Sequence, residues 1–463
     1  KNGTGDYVAV PFAAKDATSP LTHYYSNTGN HKDFALRGTS SLILTPVKGL
    51  TVTSRVGYRL ESTNYSFYGV PTYFAVSSRT KMQLDGKTTM NRFYMWENFA
   101  NYNRSFGKHT INAMVGMSYQ YEWSNFTSGS TNGLTDSSSN FHHLDFASTD
   151  ATKGVGGRVG EMSSISYFGR IGYTFDNRYN IMVNFRADAF DRSKLSKEAR
   201  WGYFPSVSAG WTISNERFMR DIDPKIISFL KLRASYGVNG NISALGAFMY
   251  SSSMSVGDYY PMNGSLVSTV YPSDVLANPD LKWETTAMAN IGLDYTILGG
   301  RVSGTLDFYN KETKDMLYKY NVPSPPYQYN QLLANGASMT NRGVEFMVNV
   351  VAVDRPDFSW TTNFNVAYNK NKIGSLDSNV DNLSISERYE GTMYLEGWTA
   401  QTVSIVRPGL PIGTFYTYKY MGYDAEQQKT LYENAAGEIV TIDKLKSPDD
   451  YQVVGSALPK ITF

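Results

Sequence analysis

Two long segments between residues 164 and 188 alternate between apolar and polar side chains, with Phe168 as the exception, and Asp176-Asn177 joins them. Successive side chains of a strand point to opposite faces, so the pattern predicts a β-hairpin with one apolar and one polar face. Each arm has about ten residues or more, roughly twice the usual soluble strand and enough for a tilted strand to cross a bilayer. The predicted apolar face comprises Ile165, Tyr167, Ile171, Tyr173, Phe175, Tyr179, Ile181, Val183, Phe185 and Ala187.

The composition narrows the class of protein. The chain has 463 residues, 18% of them charged, and its net charge of +2 is too small to indicate nucleic-acid binding. It has no cysteine, which excludes disulfides, zinc–thiolate sites and a cysteine nucleophile. The mean hydropathy is −0.36, and no apolar run reaches the length of a membrane helix, about 18 residues. A membrane β-barrel stays open, because only alternate residues of its strands meet lipid, and 35 tyrosines suit its interfacial belts.

The alternation recurs along the chain, for example over 50–60, 285–297 and 358–368, and short turns alternate with long loops. Outer-membrane barrels have this one-sided distribution of loop lengths. We predict an all-β fold, a transmembrane antiparallel β-barrel with about 12–14 strands in this chain. An irregular segment, 1–33, would precede a partial barrel, 34–463, whose long extracellular loops are 62–92, 122–162, 239–283, 317–338 and 371–411.

Some points stay open at this level. The connection 214–229 is long although it lies on the short-turn side. After Tyr368, strand direction requires an even number of crossings before 459–463, so either 430–442 is a return crossing or 412–423 stays outside the membrane. A soluble sandwich or propeller is the alternative fold, but its strands are shorter and its loop lengths are not one-sided. Because no signal segment is seen and the last residues look like a strand, we expect a fragment of a longer protein.

Seven stretches stand out as motifs, and they are SYFGR (166–170) with Arg178-Tyr179, RWGYFPSVS (200–208) with Gly210-Trp211, LKLRASYG (230–237) with Gly240-Asn241, NPDLKWE (278–284), NRGVE (341–345), PIGTFY (411–416) and GSALPK (455–460). In order and spacing this set resembles the SusC/RagA-type TonB-dependent outer-membrane transporters, and a collinear set is far more specific than one motif. The chain departs from the family at 186–189, where RADA replaces a frequent RRDG, and at 426–450, which replaces an acidic stretch.

The resemblance implies a barrel of about 22 strands with an N-terminal plug domain that lies outside this chain. It implies active import of a nutrient across the bacterial outer membrane, with an oligosaccharide as the first candidate and a peptide as the second. The implied partners are a SusD-like surface lipoprotein that acts as a lid, the TonB-ExbB-ExbD complex acting through the plug, and outer-membrane lipid. Nucleic acid and cofactors are not implied, and any calcium site is left open by the departure at 426–450.

Candidate contact residues fall into two groups, one in the loops and one on the polar strand face. Aromatic rings stack on sugars and bind peptide side chains, although for any single ring loop packing or contact with the lid is the favoured explanation. Inward-pointing charges would line the lumen or contact the plug. The loop candidates are Tyr68, Tyr73, Phe74, Tyr259, Tyr260, Tyr327, Tyr329 and Trp398, and the lumen or plug candidates are Arg170, Arg186, Arg233 and Asp294.

No residue pattern indicates an enzyme or a metal site. His142-His143 and Asp449-Asp450 are better explained as solvated loop pairs, since neighbours on a strand point to opposite faces, and no metal-ligand spacing or phosphate loop is present. We therefore predict no catalytic residues and no metal ligands. Two other functions remain as alternatives: a passive porin or autotransporter-like barrel, which needs no plug, and a soluble carbohydrate-binding β-protein.

Overall fold

The computed structural model describes residues 24–71, 79, 81–134, 143–191, 193–252, 254–272, 275–322, 331–378, 380, 385–393, 401–446, 448–459 and 462. Within these ranges the chain is nearly all β-strand, with short 3₁₀ helices at Leu144–Phe146, Ile213–Asn215, Arg217–Met219 and Ile442–Lys444. No helix in this part of the chain has the length and apolar character needed to cross a membrane.

The strands in chain order are β1 (Asn27–Val47), β2 (Leu50–Gly69), β3 (Gln83–Phe106), β4 (His109–Leu134), β5 (Ala147–Phe175), β6 (Tyr179–Phe190), β7 (Trp201–Thr212), β8 (Ile227–Asn241), β9 (Met254–Met262), β10 (Ser265–Pro272), β11 (Val275–Leu276), β12 (Glu284–Ile297), β13 (Val302–Asn321), β14 (Gln331–Arg355), β15 (Phe358–Ile373), β16 (Arg388–Met393), β17 (Gln401–Val406), β18 (Thr414–Thr417), β19 (Lys419–Asp424), β20 (Lys429–Glu433), β21 (Ile439–Thr441) and β22 (Gln452–Ser456). Thirteen of them form one sheet, in which β1 to β8 are neighbours in sequence order and β12 to β15 follow. The remaining member, β11, has two residues and pairs in parallel with β14.

Two compact units make up the chain. One contains 1–46, 51–99 and 117–165, and the other contains 47–50, 100–116 and 166–463. In the second unit the strand pairs β6–β7, β7–β8, β8–β12, β12–β13, β13–β14 and β14–β15 are all antiparallel. The twelve long strands of the sheet therefore agree with the predicted number.

The hairpin predicted over 164–188 is formed by the end of β5 and by β6. Asp176 and Asn177 both have φ of 52°, and the Arg178 amide donates to the Phe175 carbonyl over 2.9 Å. Type I′ turns need positive φ at both central residues, and Asp and Asn tolerate this conformation. The turn was thus predictable from the residue types at its centre.

The apolar face of this sheet is the exposed one. Ile171, Ile181 and Ile291 keep 63%, 52% and 56% of their surface exposed, whereas polar-face neighbours such as Ser166 and Asn180 are buried or half-buried. Water-soluble proteins bury their apolar faces, and a broad exposed apolar surface marks contact with a membrane or another protein. In the described part of the chain no second protein layer covers these isoleucines, which is the condition that a lipid-facing wall must meet.

The strands are longer than the sequence pattern predicted. Their extensions have polar residues on both faces, so alternation does not mark them, although the strands continue to pair. β1 starts at Asn27, inside the segment 1–33 that was expected to be irregular, and 1–23 lies outside the described residues. The connections that remain are 70–82 within the predicted loop 62–92, 135–146 within 122–162, and 322–330 within 317–338. The predicted loop 239–283 contains β9 to β11, and 371–411 contains β16 and β17.

The structure resolves how the chain runs after β15. The amide of Thr462 donates to the carbonyl of Ala367 over 2.9 Å, and the reverse bond is 2.8 Å, so residue 462 pairs directly with β15. The segment 412–423 instead contributes β18 to a four-stranded sheet and β19 to a three-stranded sheet. The sequence left two alternatives, a return crossing at 430–442 or a segment 412–423 that stays outside the membrane. The structure favours the second, because 412–423 pairs outside the large sheet.

Glu216 organises the long connection at the short-turn end of the sheet, between β7 and β8. Its Oε2 accepts from Arg178 Nη1 over 2.8 Å, and its Oε1 accepts from Trp211 Nε1 over 3.1 Å and from the Tyr179 hydroxyl. These donors come from a turn and two strands. One buried carboxylate thus ties the connection to the rim of the sheet.

This carboxylate makes the rim sensitive to acid. The pKa of Glu216 lies below its ordinary value, first because the Tyr179 hydroxyl donates to the carboxylate and then because Trp211 and Arg178 do. Such a group contributes stability that is complete above the unfolded pKa, about 4.3, and is lost as pH falls through the folded value. We expect the difference in melting temperature between wild type and Glu216→Gln to be complete near pH 6. It should shrink only as the pH falls below the unfolded pKa, about 4.3, and should vanish once the pH is below the lower folded pKa. Thermal unfolding in detergent measures this, and a difference that stays constant with pH would contradict it.

Buried apolar clusters occur at the long-loop end. One contains Leu195, Ile242, Leu245, Leu281, Trp283 and Leu333. A second contains Tyr320, Val322, Leu332 and Ala334, and a third contains Ala337, Ile373, Leu376 and Val406. They draw on strand ends and on the connections between strands. At the long-loop end, beyond the exposed apolar face of the strands, the chain therefore buries apolar side chains as a water-soluble protein does.

Candidate functional site

The polar face of β4 to β8 and β12 forms a trough of about 440 Å³. Because side chains of this face project from neighbouring strands at the same height, the trough presents amides, hydroxyls and two cations together. Its polar lining includes Asn112, Thr174, Asn180, Ser208, Lys231 and Arg233. Such a surface can hydrogen-bond to another polar surface or to a solute, but it offers no nucleophile with an adjacent base.

Arg233 forms a charged row across three strands. Its Nε donates to Asp294 Oδ1 over 2.9 Å, and its Nη2 donates to Asp307 Oδ2 over 2.6 Å. Arg233 on β8 and Asp307 on β13 lie on either side of Gly292 on β12, in direct register with it. A Cβ on Gly292 would stand 2.5 Å from the guanidinium carbon, so only glycine leaves room for the arginine to lie across the strand. The row joins adjacent strands and fixes their register on the polar side.

Sequence reasoning named Arg233 and Asp294 but missed Asp307. The signal was present, because Asp307 stands between the apolar residues Leu306 and Phe308, and on a strand the residue between two apolar ones faces the other way. What the sequence did not give is the pairing of β13 with β12, which brings Asp307 beside Arg233. The arginine is thus already engaged by two carboxylates of the wall.

We expect Arg233→Leu to destabilise the barrel by about 1–2 kcal/mol, because two carboxylates lose a charged donor while the site keeps partial contact with solvent. Adding Asp307→Asn should recover part of the loss, since the repulsion between two unpaired carboxylates is removed. Lys231→Leu is the matched control, because Lys231 lies on the same face of β8. Equal melting temperatures for the two single variants would contradict the prediction.

The two other predicted arginines differ from each other. Arg186 is engaged within the wall, with Asp188 at 2.8 Å, Ser166 Oγ at 2.8 Å and the Phe168 ring below its guanidinium. The ring contact explains why Phe168 departs from the apolar alternation. The Nε of Arg170 is buried and has no hydrogen-bond partner among the described residues. Of the three predicted arginines, Arg170 is the one without a carboxylate partner among the described residues.

Three of the motifs meet at Trp283 at the long-loop end. Phe204 and Phe190 lie against its ring with centroids 5.3 and 5.7 Å away, and its Nε1 donates to the Arg200 carbonyl over 3.3 Å. A Cβ on Gly240 would stand 2.2 Å from the Phe204 ring and 2.8 Å from the Trp283 ring. The glycine is needed because two aromatic rings cross the backbone at van der Waals distance. Trp283, Phe204 and Gly240 of these motifs therefore have a packing role.

Polar bonds complete the same cluster. Glu284 accepts from Asn241 Nδ2 over 2.6 Å and from the Leu317 amide over 2.7 Å. Asn335, fully buried, exchanges two hydrogen bonds of 2.9 Å with the backbone of Lys282 and donates to the Asp315 carbonyl over 2.8 Å. Buried amides of this kind stabilise a fold only when each group has a partner, as here. The long β8–β12 connection is thereby fastened to β13 and β14.

The last three motifs form a second junction. Ile412 donates its amide to Asn371 Oδ1 over 2.9 Å, and Asn371 in turn donates to Asn341 over 2.8 Å. The Ala457 amide donates to the Gly413 carbonyl over 2.9 Å, next to the pairing of β18 with β22. Through these bonds, residues 341, 412–413 and 457 fasten the chain beside β15, with which Thr462 pairs. They have no arrangement suited to catalysis.

The predicted loop aromatics are placed only in part. Tyr68 is half-buried and its hydroxyl donates to Met82 Sδ over 3.3 Å, which favours packing at that position. Tyr259 and Tyr260 lie on the β9–β10 hairpin with 68% and 63% of their surface exposed. Tyr73, Phe74, Tyr327, Tyr329 and Trp398 lie outside the described residues. Across the part of the chain that is described, no group of three or more His, Asp or Glu could hold a metal ion.

Comparison with known families agrees with this architecture. Residues 2–454 match the family model described as TonB dependent receptor-like, beta-barrel. The chain belongs to this family. It is accordingly an outer-membrane β-barrel chain, and its apolar face is the surface that meets lipid.

Individual relatives of this chain are also named TonB-dependent receptors. TonB-dependent receptor P39 of Formosa agariphila is 29% identical over 429 residues, which cover 90% of this chain and 37% of that protein. TonB-dependent receptor SusC of Bacteroides thetaiotaomicron is 33% identical over 264 residues, which cover 56% of this chain and 25% of that protein. The resemblance to the SusC/RagA type is thereby confirmed. The chain spans about a third or less of the length of these curated relatives.

A solved structure shares the fold. The RagAB peptide importer in its closed-closed state superposes with a TM-score of 0.80 at 24% identity, and the match covers 99% of this chain and 49% of that chain. The agreement over nearly the whole chain shows that the receptor barrel described here has the RagA-type strand arrangement. At 24% identity the match is evidence for the fold alone.

Proposed function

We propose that this chain is the barrel wall of a TonB-dependent importer that takes up a nutrient across the outer membrane. The observation that carries the proposal is the inverted sheet: apolar side chains such as Ile171 and Ile181 face outward and exposed, while the opposite face carries the Arg233 row and the polar trough. Membership of the TonB-dependent receptor family supports an energised rather than a passive route.

The polar face is the surface against which a plug domain would rest. Arg170 supports this, because it lies on this face and, unlike Arg186 and Arg233, has no carboxylate partner among the described residues. A half-buried guanidinium without a counter-charge is stabilised when another surface supplies one. Arg186 and Arg233 serve instead to hold the wall together. We assign plug contact to Arg170 and the trough beside it.

A SusD-like lipoprotein lid and an oligosaccharide or peptide cargo complete the proposal. The name SusC and the name of the RagAB peptide importer, carried by proteins similar to this chain, support the lid and the two cargo classes. Tyr259 and Tyr260 are the described loop candidates for contact with lid or cargo, since both rings are exposed at the long-loop end. Exposed tyrosine rings suit either role.

The experiment is uptake in a strain that lacks the gene. Labelled oligosaccharides and peptides are supplied to the deletion strain, to the complemented strain and to a complemented strain lacking TonB. We expect uptake of one cargo class to fall on deletion, to return on complementation and to fall again without TonB. Uptake that returns without TonB would mean a passive pore, and unchanged uptake of every cargo, with no lipoprotein co-purifying, would reject the importer.

A further inference from the structure

The connection between β7 and β8, residues 213–226, is long although it lies at the short-turn end. This connection is bonded to the rim of the sheet. Glu216 binds Arg178, Tyr179 and Trp211, and Asn215 Nδ2 donates to the Asn177 carbonyl over 2.8 Å. Tyr179 and Trp211 belong to the apolar face of the sheet. The connection is therefore held against the lipid-facing side of the rim.

The outward surface of this connection is amphipathic. Phe218 and Ile226 keep 62% and 58% of their surface exposed. Arg217, Arg220 and Lys225 are exposed beside them, as are the carboxylates of Asp221 and Asp223. Within the described part of the chain the three cations make no ion pair with any of these or other carboxylates. A large exposed ring between unpaired cations has no explanation in the packing of the chain itself. It matches the composition of segments that lie at a membrane surface.

An aromatic band leads directly from this connection along the rim. The Tyr179 ring stacks on Phe175 with centroids 6.5 Å apart, Phe175 meets His109 at 5.1 Å, and His109 meets Phe106 at 5.3 Å. His109 Nδ1 also lies 2.7 Å from the Tyr173 hydroxyl. Aromatic girdles with polar ring atoms mark the level of the lipid headgroups on barrels. Phe218 thus adjoins the headgroup zone.

We propose that residues 213–226 form a foot that binds the phospholipid surface of the leaflet at the short-turn end, with Phe218 at the boundary between headgroups and acyl chains and Arg217 and Arg220 on lipid phosphates. Continuity with the apolar face selects lipid as the occupant, and the unpaired cations complement anionic headgroups. Glu216 is the residue that positions the foot. The proposal rests on the place of the barrel in the outer membrane and not on what it imports.

The depth of Phe218 tests the foot directly. The chain has no cysteine, so Phe218→Cys in the full receptor, with any cysteine outside this chain replaced, takes one environment-sensitive fluorophore. The receptor is placed in nanodiscs of phosphatidylethanolamine and phosphatidylglycerol. Ile181→Cys is the control for the acyl region and Tyr423→Cys for water. We expect emission at 218 between the two controls, and stronger quenching by a nitroxide near the headgroup than by one at the chain end. Emission and quenching equal to those at 423 would overturn the proposal.

The cations are tested separately by counting bound phosphatidylglycerol with native mass spectrometry. Removing one arginine from an anionic surface is expected to weaken binding about fivefold. Arg217→Gln/Arg220→Gln should therefore retain fewer phosphatidylglycerol molecules than wild type, and Lys444→Gln/Lys446→Gln at the long-loop end should retain as many as wild type. Equal retention by the two double variants would overturn the assignment of the arginines. All four side chains are exposed or half-exposed, so folding is not at stake.

Discussion

Trp283→Ala will destabilise the folded barrel by about 3–5 kcal/mol, the range for removing a large buried aromatic side chain. The ring is 8% exposed and lies between Phe190 and Phe204. Its loss leaves a cavity in a cluster that joins three connections at the long-loop end, and the remaining rings cannot close it because Gly240 and its strand hold them in place. Denaturant unfolding of the receptor refolded into phospholipid vesicles measures the change.

Two variants separate the cavity from other effects. Trp283→Phe keeps a six-membered ring but loses the five-membered part of the indole together with the N–H that donates to the Arg200 carbonyl. We expect a cost smaller than that of Trp283→Ala, about 1 kcal/mol for the hydrogen bond in addition to the smaller lost volume. Trp360→Ala removes a tryptophan that is 57% exposed on the outer face and leaves no cavity. If Trp283→Ala and Trp360→Ala had the same cost, the cluster at the long-loop end would not be a core.

The sequence predicted the sheet because alternation is a local property. The alternation within each strand predicts which of its faces is apolar, and the residue types Asp176-Asn177 predict the turn between two strands. The limits of the loops were not predictable in the same way, because β4 and β5 continue into stretches with polar residues on both faces. Pairing with a neighbouring strand, and not the pattern within one strand, keeps those residues extended.

The site residues divide along the same line. Arg233 was identified from its own strand, but its bond to Asp307 depends on the register of two other strands. Glu216 gave no signal, since its donors come from a turn, β6 and β7. Trp283 and Gly240 were identified as motif residues, yet their packing role needs contacts between segments far apart in the chain. The sequence therefore predicted which residues lie on the apolar and polar faces of the strands, but not the contacts that join distant segments at Glu216 and Trp283.

If the apolar face meets lipid, Val183→Arg should strongly destabilise the barrel. Val183 lies near the middle of the membrane-crossing part of β6 and keeps 50% of its surface exposed. On a soluble protein an arginine at such a position would change stability by less than about 0.5 kcal/mol. On the lipid face of a barrel, near the bilayer midplane, it costs about 2–4 kcal/mol, because the cation must leave water or distort the bilayer.

Asn184→Arg is the matched control, one residue further along and on the opposite face, where the Asn184 amide donates to Ser206 Oγ over 3.2 Å. An arginine there enters the polar interior and should cost less than about 1 kcal/mol, mainly the lost hydrogen bond. The comparison uses unfolding in vesicles and then in a detergent whose micelle adapts to the cation. A large cost for Val183→Arg that shrinks in detergent, beside a small cost for Asn184→Arg in both, requires that hydrocarbon lies against one face and water or protein against the other. Equal costs would mean that the two faces meet the same solvent, and the inverted sheet would then need another explanation.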